Sequence, residues 1–157
     1  MTVLLVRHAE AGDRHRWEGP DESRPLTDEG HRQAEALVAT LDGFGVGRVL
    51  SSPYVRCVQT VEPLAGALGV SVEPSDDLAE GSGRMALRRV RSLLQGPGTV
   101  LCTHGDVVEE VLDGLGVGRS EETEKGATWV LGPDEARCLP APSRRPGAPR
   151  GPAPGWP

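Results

Sequence analysis

Two histidines stand directly after short apolar runs. Val3-Leu4-Leu5-Val6 leads into Arg7-His8, and Thr99-Val100-Leu101-Cys102 leads into Thr103-His104-Gly105. Both runs are too short for a helix and carry β-branched residues, so each reads as a buried strand. In open α/β sheets, ligands bind just beyond the carboxyl ends of the strands, where both imidazoles then fall. A further cation, Arg56, follows Ser51-Ser52-Pro53. That triplet reads as a strand end, an N-cap at Ser52 and a first helical residue at Pro53. Arg56 would then lie beside free backbone N–H groups at the positive end of a helix, a ready anion site. Two guanidinium groups from different elements suit a group with several anionic oxygens, because planar bidentate donation matches phosphate.

A histidine set between them can attack phosphorus. Its ordinary pKa of about 6.5 leaves it neutral near pH 7 without help from a metal. The second histidine, if protonated, is a further donor to the phosphoryl oxygens. Phosphoryl transfer needs mainly positioning and charge neutralisation. An alkoxide leaving group still needs a proton from a carboxylic acid. Glu80 is placed to supply it, with Asp76, Asp77 and Glu10 as competitors.

The elements that must position these groups follow from patterning. Ala11 to Pro25, rich in Gly and Pro, reads as a loop carrying Arg14, His15, Arg16 and Arg24. Thr27 reads as an N-cap, Ala34, Leu37, Val38 and Leu41 recur at helical spacing, and Gly43 ends the helix. Arg48–Leu50 is a short strand. Val58, Val61, Ala65 and Leu68 make a helical stripe that Pro63 should kink or restart. Val70–Val72 is a third strand, Ser75–Gly83 a loop, and Met85–Leu94 a helix ended by Gly96-Pro97-Gly98. After the 99–102 strand, Val107–Leu115 reads as a helix, then Ala127–Leu131 and Ala136–Leu139 as strands joined by a hairpin-like turn. This order predicts an α/β fold, a three-layer α-β-α sandwich. Its central sheet should be mostly parallel, of about six strands, with one antiparallel edge. One domain over 1–139 is expected, with a Pro/Gly-rich tail over 140–157 that is disordered or extended.

Composition narrows the function classes. A formal net charge of −6 argues against a nucleic-acid-binding surface. No apolar run approaches a membrane span and no secretory signal is recognisable. Three cysteines without a C-x-x-C pair make a disulfide framework or zinc site unattractive and point to a reduced, cytoplasmic protein. Cys57, beside Arg56, reads either as a thiol of lowered pKa or as an inert core residue. Singly, each histidine has a bland reading as a satisfied core residue; it is the joint set with Arg7 and Arg56 that meets the test for a site. His31 reads as a surface residue, and the three tryptophans as packing, with Trp17 the candidate for a pocket mouth.

Four blocks together resemble a known family. Val-Arg-His-Ala at 6–9, Ser-Ser-Pro-Tyr-Val-Arg-Cys-Val-Gln-Thr at 51–60, Leu-Ala-Glu at 78–80 and Thr-His-Gly at 103–105 are similar to the histidine phosphatase superfamily, also called phosphoglycerate-mutase-like. The resemblance covers about residues 2–139. It implies a phosphohistidine nucleophile at His8, a phosphate pocket of Arg7, Arg56 and His104, and a general acid at Glu80. Arg14, Arg24 and Gly105 are further candidates for substrate contact. No metal and no cofactor are implied.

The short 71–83 segment resembles the small SixA-type branch and predicts an open site, without the lid a mutase needs. Arg-Pro-Leu-Thr at 24–27, residues 56–65 and Thr-Trp-Val-Leu at 128–131 also resemble the phosphatase module fused to Nudix domains in actinobacteria. No Nudix motif is present in this chain. Ala9 departs from the glycine that many members carry after the nucleophile, and Glu10 adds a negative charge. The expected activity is metal-independent hydrolysis of small phosphomonoesters, nucleotides favoured, through a phosphohistidine. A protein phosphohistidine phosphatase and a non-catalytic phosphate-binding module are the alternatives. Expected partners are a small phosphorylated substrate or a phosphoprotein, with no nucleic acid and no membrane.

Overall fold

The computed structural model describes residues 2–142. Six strands form one sheet: β1 (Val3–Arg7), β2 (Val46–Ser51), β3 (Val72–Pro74), β4 (Gly98–Thr103), β5 (Thr128–Gly132) and β6 (Glu135–Leu139). Their spatial order is β3-β2-β4-β1-β5-β6. The first four strands run parallel, while β5 is antiparallel to β1 and β6 antiparallel to β5. The helices are α1 (Asp28–Thr40), α2 (Val55–Leu68), α3 (Gly83–Leu93) and α4 (Gly105–Gly114), with 3-10 turns at Asp21–Ser23 and Asp76–Leu78. The expected α/β architecture is therefore present. The part of the expected tail from residue 143 onward lies outside the described residues.

Side-chain alternation along the strands builds the layers. Val3 and Leu5 of β1, with Leu50 and Leu101, pack under Ala86 and Val90 of α3 and Val107, Val108, Val111 and Leu112 of α4. Leu4 and Val6, with Val49, Val100 and Val130, pack under Leu37 of α1 and Val61, Leu64 and Ala65 of α2. Both faces of the central strands are thus covered, which explains why their sequences read as unbroken apolar runs. No helix among the described residues is long and apolar enough to cross a membrane.

Several local expectations are corrected. The third strand begins at Val72, two residues later than expected, because Val70 donates instead to Ala65 O in the turn closing α2. Helix α2 begins at Val55, with Tyr54 rather than Ser52 before it and no side-chain cap. It also runs through Pro63 as one element to Leu68. Burial of Val61, Leu64 and Ala65 against the sheet outweighs the single backbone hydrogen bond that proline forfeits. Thr27 does cap α1, its Oγ1 accepting from Gly30 N at 3.1 Å. Gly30 is required there by close approach: a Cβ would stand 2.0 Å from Glu10 O. The start of α1 therefore lies tight against the chain leaving β1.

Candidate active site

Register places the two histidines. Arg7 is level with Thr103 in the parallel β1–β4 pair, and His8 N donates to Thr103 O at 3.0 Å. Both strands end together, so His8 and His104 emerge side by side with ring centroids 5.6 Å apart. On the other side of β4, Ser52 N donates to Cys102 O at 2.9 Å, which brings the start of α2, and with it Arg56, to the same edge.

His8 is 6 % exposed. Its Nδ1 lies 2.8 Å from Ala9 O. A carbonyl only accepts, so Nδ1 carries the proton and the lone pair sits on Nε2. Burial, with the charges of Arg56, His104 and Arg7, lowers the imidazole pKa to about 3 against the pull of the Ala9 bond. The ring is thus a neutral base with a free nitrogen, surrounded by positive groups. Ala9 takes the place of the expected glycine without strain: among the described residues no non-glycine has positive φ.

Arg56 is wholly buried. Its Nη1 donates to Asp21 O at 2.8 Å, and its Nη2 to Asp21 Oδ2 at 2.9 Å and Glu80 Oε2 at 3.3 Å. The guanidinium lies 5.0 Å from the Tyr54 ring centre, within cation–π range. Arg7 donates through Nη1 to Thr123 O at 2.6 Å and is seated against the backbone of Gly105. Among the described residues, the Nε atoms of Arg7 and Arg56 are both buried without a partner. Each such orphan donor costs about 1–3 kcal/mol, and an anion that reached them would remove that cost.

His104 is held from behind. Its Nε2 lies 2.9 Å from Ser52 Oγ and 3.6 Å from Cys57 Sγ, and the Tyr54 ring packs on it edge-on at 4.5 Å. Its Nδ1 faces Glu80 Oε2 at 3.8 Å. Burial acts to raise the Cys57 thiol, but hydrogen bonding with Cys102, His104 and Ser52 brings it below its ordinary value. Cys57 is therefore both a core residue and a neighbour of the site.

The other expected residues separate. Glu80 stands at the site, its Oε2 also 3.1 Å from Arg14 Nη2, so Arg14 touches the site through Glu80. Asp77 instead pairs with Arg89 at 2.8 Å, and Glu10 Oε1 accepts from Gly12 N, with Lys125 3.5 Å away. Arg24 is consumed by structure: it donates to Ala11 O at 2.6 Å, Gly12 O at 3.2 Å and Asp21 Oδ1 at 3.1 Å. Gly105 offers Arg7 a seat. Trp17 is exposed and donates to Pro20 O, whereas Trp129 is buried, its Nε1 donating to Thr123 Oγ1. His31 is exposed.

The loop after β1 also reaches the site, its Asp21 and Arg14 pairing with Arg56 and Glu80. Asp21 was invisible in the sequence because nothing local marks it; only the folded loop brings it to Arg56. Thr60 was missed as well. Its Oγ1 accepts from Ala9 N at 3.0 Å and donates to Arg56 O at 2.7 Å, tying the segment after β1 to α2. Its spacing of four residues from Arg56, one helical turn, was the available signal. Gln33 Oε1, accepting from Glu10 N at 2.9 Å, gave none. Among the described residues no group of three or more His, Cys, Asp or Glu side chains could hold a metal ion.

Known structures share this arrangement of strands and helices. The protein histidine phosphatase SixA complexed with tungstate superposes with a TM-score of 0.71 at 23 % identity, covering 83 % of this chain and 86 % of that one. YhfR of Bacillus stearothermophilus superposes with a TM-score of 0.72 at 16 % identity, covering 89 % and 95 %. Residues 3–85 match the model of the histidine phosphatase superfamily (branch 1), and the chain belongs to that family. The 8-oxo-(d)GTP phosphatase of Mycolicibacterium smegmatis is 40 % identical over 140 residues, 83 % of this chain. The chain spans 44 % of the length of that relative.

Proposed function

We propose that this chain is a phosphatase that hydrolyses small phosphomonoesters, nucleotides first among them, in two steps through a phosphohistidine on His8. One observation carries the reading: a buried, neutral imidazole with its lone pair on Nε2, ringed by Arg7, Arg56 and His104. Nε2 attacks phosphorus in line with the leaving oxygen, and the P–O bond breaks as the P–N bond forms. Arg7, Arg56 and His104 take up the charge of the equatorial oxygens. Glu80, which shares Arg56 and His104 as neighbours, gives the leaving oxygen its proton. It then takes one from the water that cleaves the P–N bond, which returns His8 and releases phosphate.

Nucleotides are preferred because the relative with 40 % identity is an 8-oxo-(d)GTP phosphatase. Phosphohistidine on a protein is the second reading, favoured by the brevity of the connection between Pro74 and Gly83, which leaves no insertion on that side. A panel of nucleotides, sugar phosphates and a phosphohistidine protein tests both. The expected outcome is highest kcat/KM on a nucleotide, abolished in His8→Ala with the fold intact. Turnover retained by His8→Ala overturns the mechanism. A clear preference for the phosphoprotein overturns the substrate assignment.

A further inference from the structure

Both terminal nitrogens of Arg56 are engaged by acidic loop residues, which leaves its Nε as the donor without a partner among the described residues. Asp21 takes Nη1 with its backbone carbonyl and Nη2 with its side-chain carboxylate, and Glu80 shares Nη2. Asp21 is itself pinned by Arg24, which also holds the carbonyls of Ala11 and Gly12. The loop after β1 therefore delivers a carboxylate to Arg56 in a fixed pose. That carboxylate is a planar anion accepting from a guanidinium, as a phosphoryl group would be. Yet Asp21 is 29 % exposed while Arg56 is fully buried, so the anion sits at the solvent side of the pair. Burial acts to raise the Asp21 carboxyl, but Arg24 and Arg56 keep it below the usual carboxylate range. It is thus charged whenever a phosphate dianion would be.

From this geometry we infer that Asp21 is an internal competitor for the phosphoryl site: its carboxylate holds Arg56 in the empty enzyme and opposes the phosphate dianion. Two consequences follow. Substrate must take Nη2 from Asp21 or share it, so KM is higher than Arg7, Arg56 and His104 alone would set. Product phosphate is expelled as Asp21 returns, so release is fast. Asp21 acts through Arg56 and is a positioning residue, not one that meets the reacting atoms. The inference rests on the phosphatase reading above and adds a residue to it. A purely orienting role for Asp21 makes the opposite forecast, because an aligned Arg56 binds phosphate better than a loose one.

The test is Asp21→Asn in the full chain, probed with inorganic phosphate alone. Asparagine keeps the backbone carbonyl bond to Nη1 and one side-chain oxygen for Nη2, and removes the charge together with the bond from Arg24 Nε. Inhibition of aryl phosphate hydrolysis by phosphate should tighten by at least about fivefold, the effect of one unit charge removed from about 4 Å at the dielectric of water. KM should fall in step, with kcat unchanged or lower. Phosphate should also raise the melting temperature of the variant more than that of the parent. Glu22→Gln, which neutralises the exposed neighbour, should change the phosphate constant by less than about twofold, as screening of a surface charge requires. Should Asp21→Asn fold poorly, Asp21→Ser removes the charge and the bond to Nη2 together, and should likewise tighten phosphate binding. Unchanged or weaker phosphate binding in the folded variants overturns the inference and leaves the phosphatase reading standing. A parent chain that shows no phosphate binding at all overturns both.

Discussion

Replacing Gly105 by alanine isolates the contribution of Arg7. The new Cβ would stand 2.7 Å from Arg7 Cζ, 2.8 Å from Nε and 2.9 Å from Nη2, where ordinary contact begins at 3.4 Å. Something must move by about 0.7 Å, and the atoms met are the far end of a flexible side chain rather than backbone. Gly105 is the first residue of α4, and its φ is not in the left-handed region. Alanine therefore fits the backbone and should recover a few tenths of a kcal/mol of helix propensity. The guanidinium yields, and with it the 2.6 Å bond to Thr123 O. A hydrogen bond from a charged group is worth about 1.5–3 kcal/mol. Loss of one such contact to the phosphoryl group lowers kcat/KM by roughly 10- to 150-fold. The assay is steady-state hydrolysis of an aryl phosphate beside a thermal melt. A large fall in kcat/KM is expected, with a melting temperature lowered by about ten degrees at most, the shift for losing one charged hydrogen bond. Unchanged kcat/KM would refute the reasoning that Arg7, seated on Gly105, serves the phosphate.

Three further outcomes follow from the same contacts. Thr60→Val leaves Ala9 N buried without an acceptor, which should cost about 1–3 kcal/mol in urea unfolding. His8 has a folded pKa of about 3 against 6.5 for the ordinary group, so the unfolded chain binds more protons between those values. Its contribution to stability is fully present above pH 6.5 and declines as pH falls towards 3, by at most about 1.4 kcal/mol per pH unit. His8→Gln should flatten that slope in unfolding measured from pH 7 to pH 4; an unaltered slope contradicts a buried neutral imidazole. Treatment with a chelator should leave aryl phosphate hydrolysis unchanged, and loss of activity on removing metal would contradict a mechanism carried by side chains.

The parts of the site that were legible in the sequence are those set by strand ends. His8 and His104 follow buried apolar runs directly, so knowing the runs to be neighbouring parallel strands was enough to bring the rings together. Arg56 was legible too, although its stated support was not: α2 starts three residues after Ser52, whose hydroxyl accepts from Tyr54 N at 3.2 Å and also lies 2.9 Å from His104 Nε2. The contact with His104 has no local mark, because it depends on the register of β2 on β4. Asp21, Gln33 and Thr123 were out of reach because each acts across more than 20 residues of intervening chain on a backbone or guanidinium group. Arg24 looked like a substrate contact for a different reason. A cation in an exposed loop has no local mark that its donors will be taken by Ala11 and Gly12 carbonyls. The part played by the loop after β1 was likewise hidden, because the pairing of its Asp21 and Arg14 with Arg56 and Glu80 exists only in the fold.

The central claim is chemical and concerns one nitrogen. Rapid quench of the enzyme turning over a phosphate-labelled substrate, followed by peptide mapping, tests it most directly. The account predicts an acid-labile, base-stable label on His8 that forms and decays within the catalytic cycle and is absent in His8→Ala. A label on another residue, or full turnover with no phosphoenzyme at any time, would contradict it.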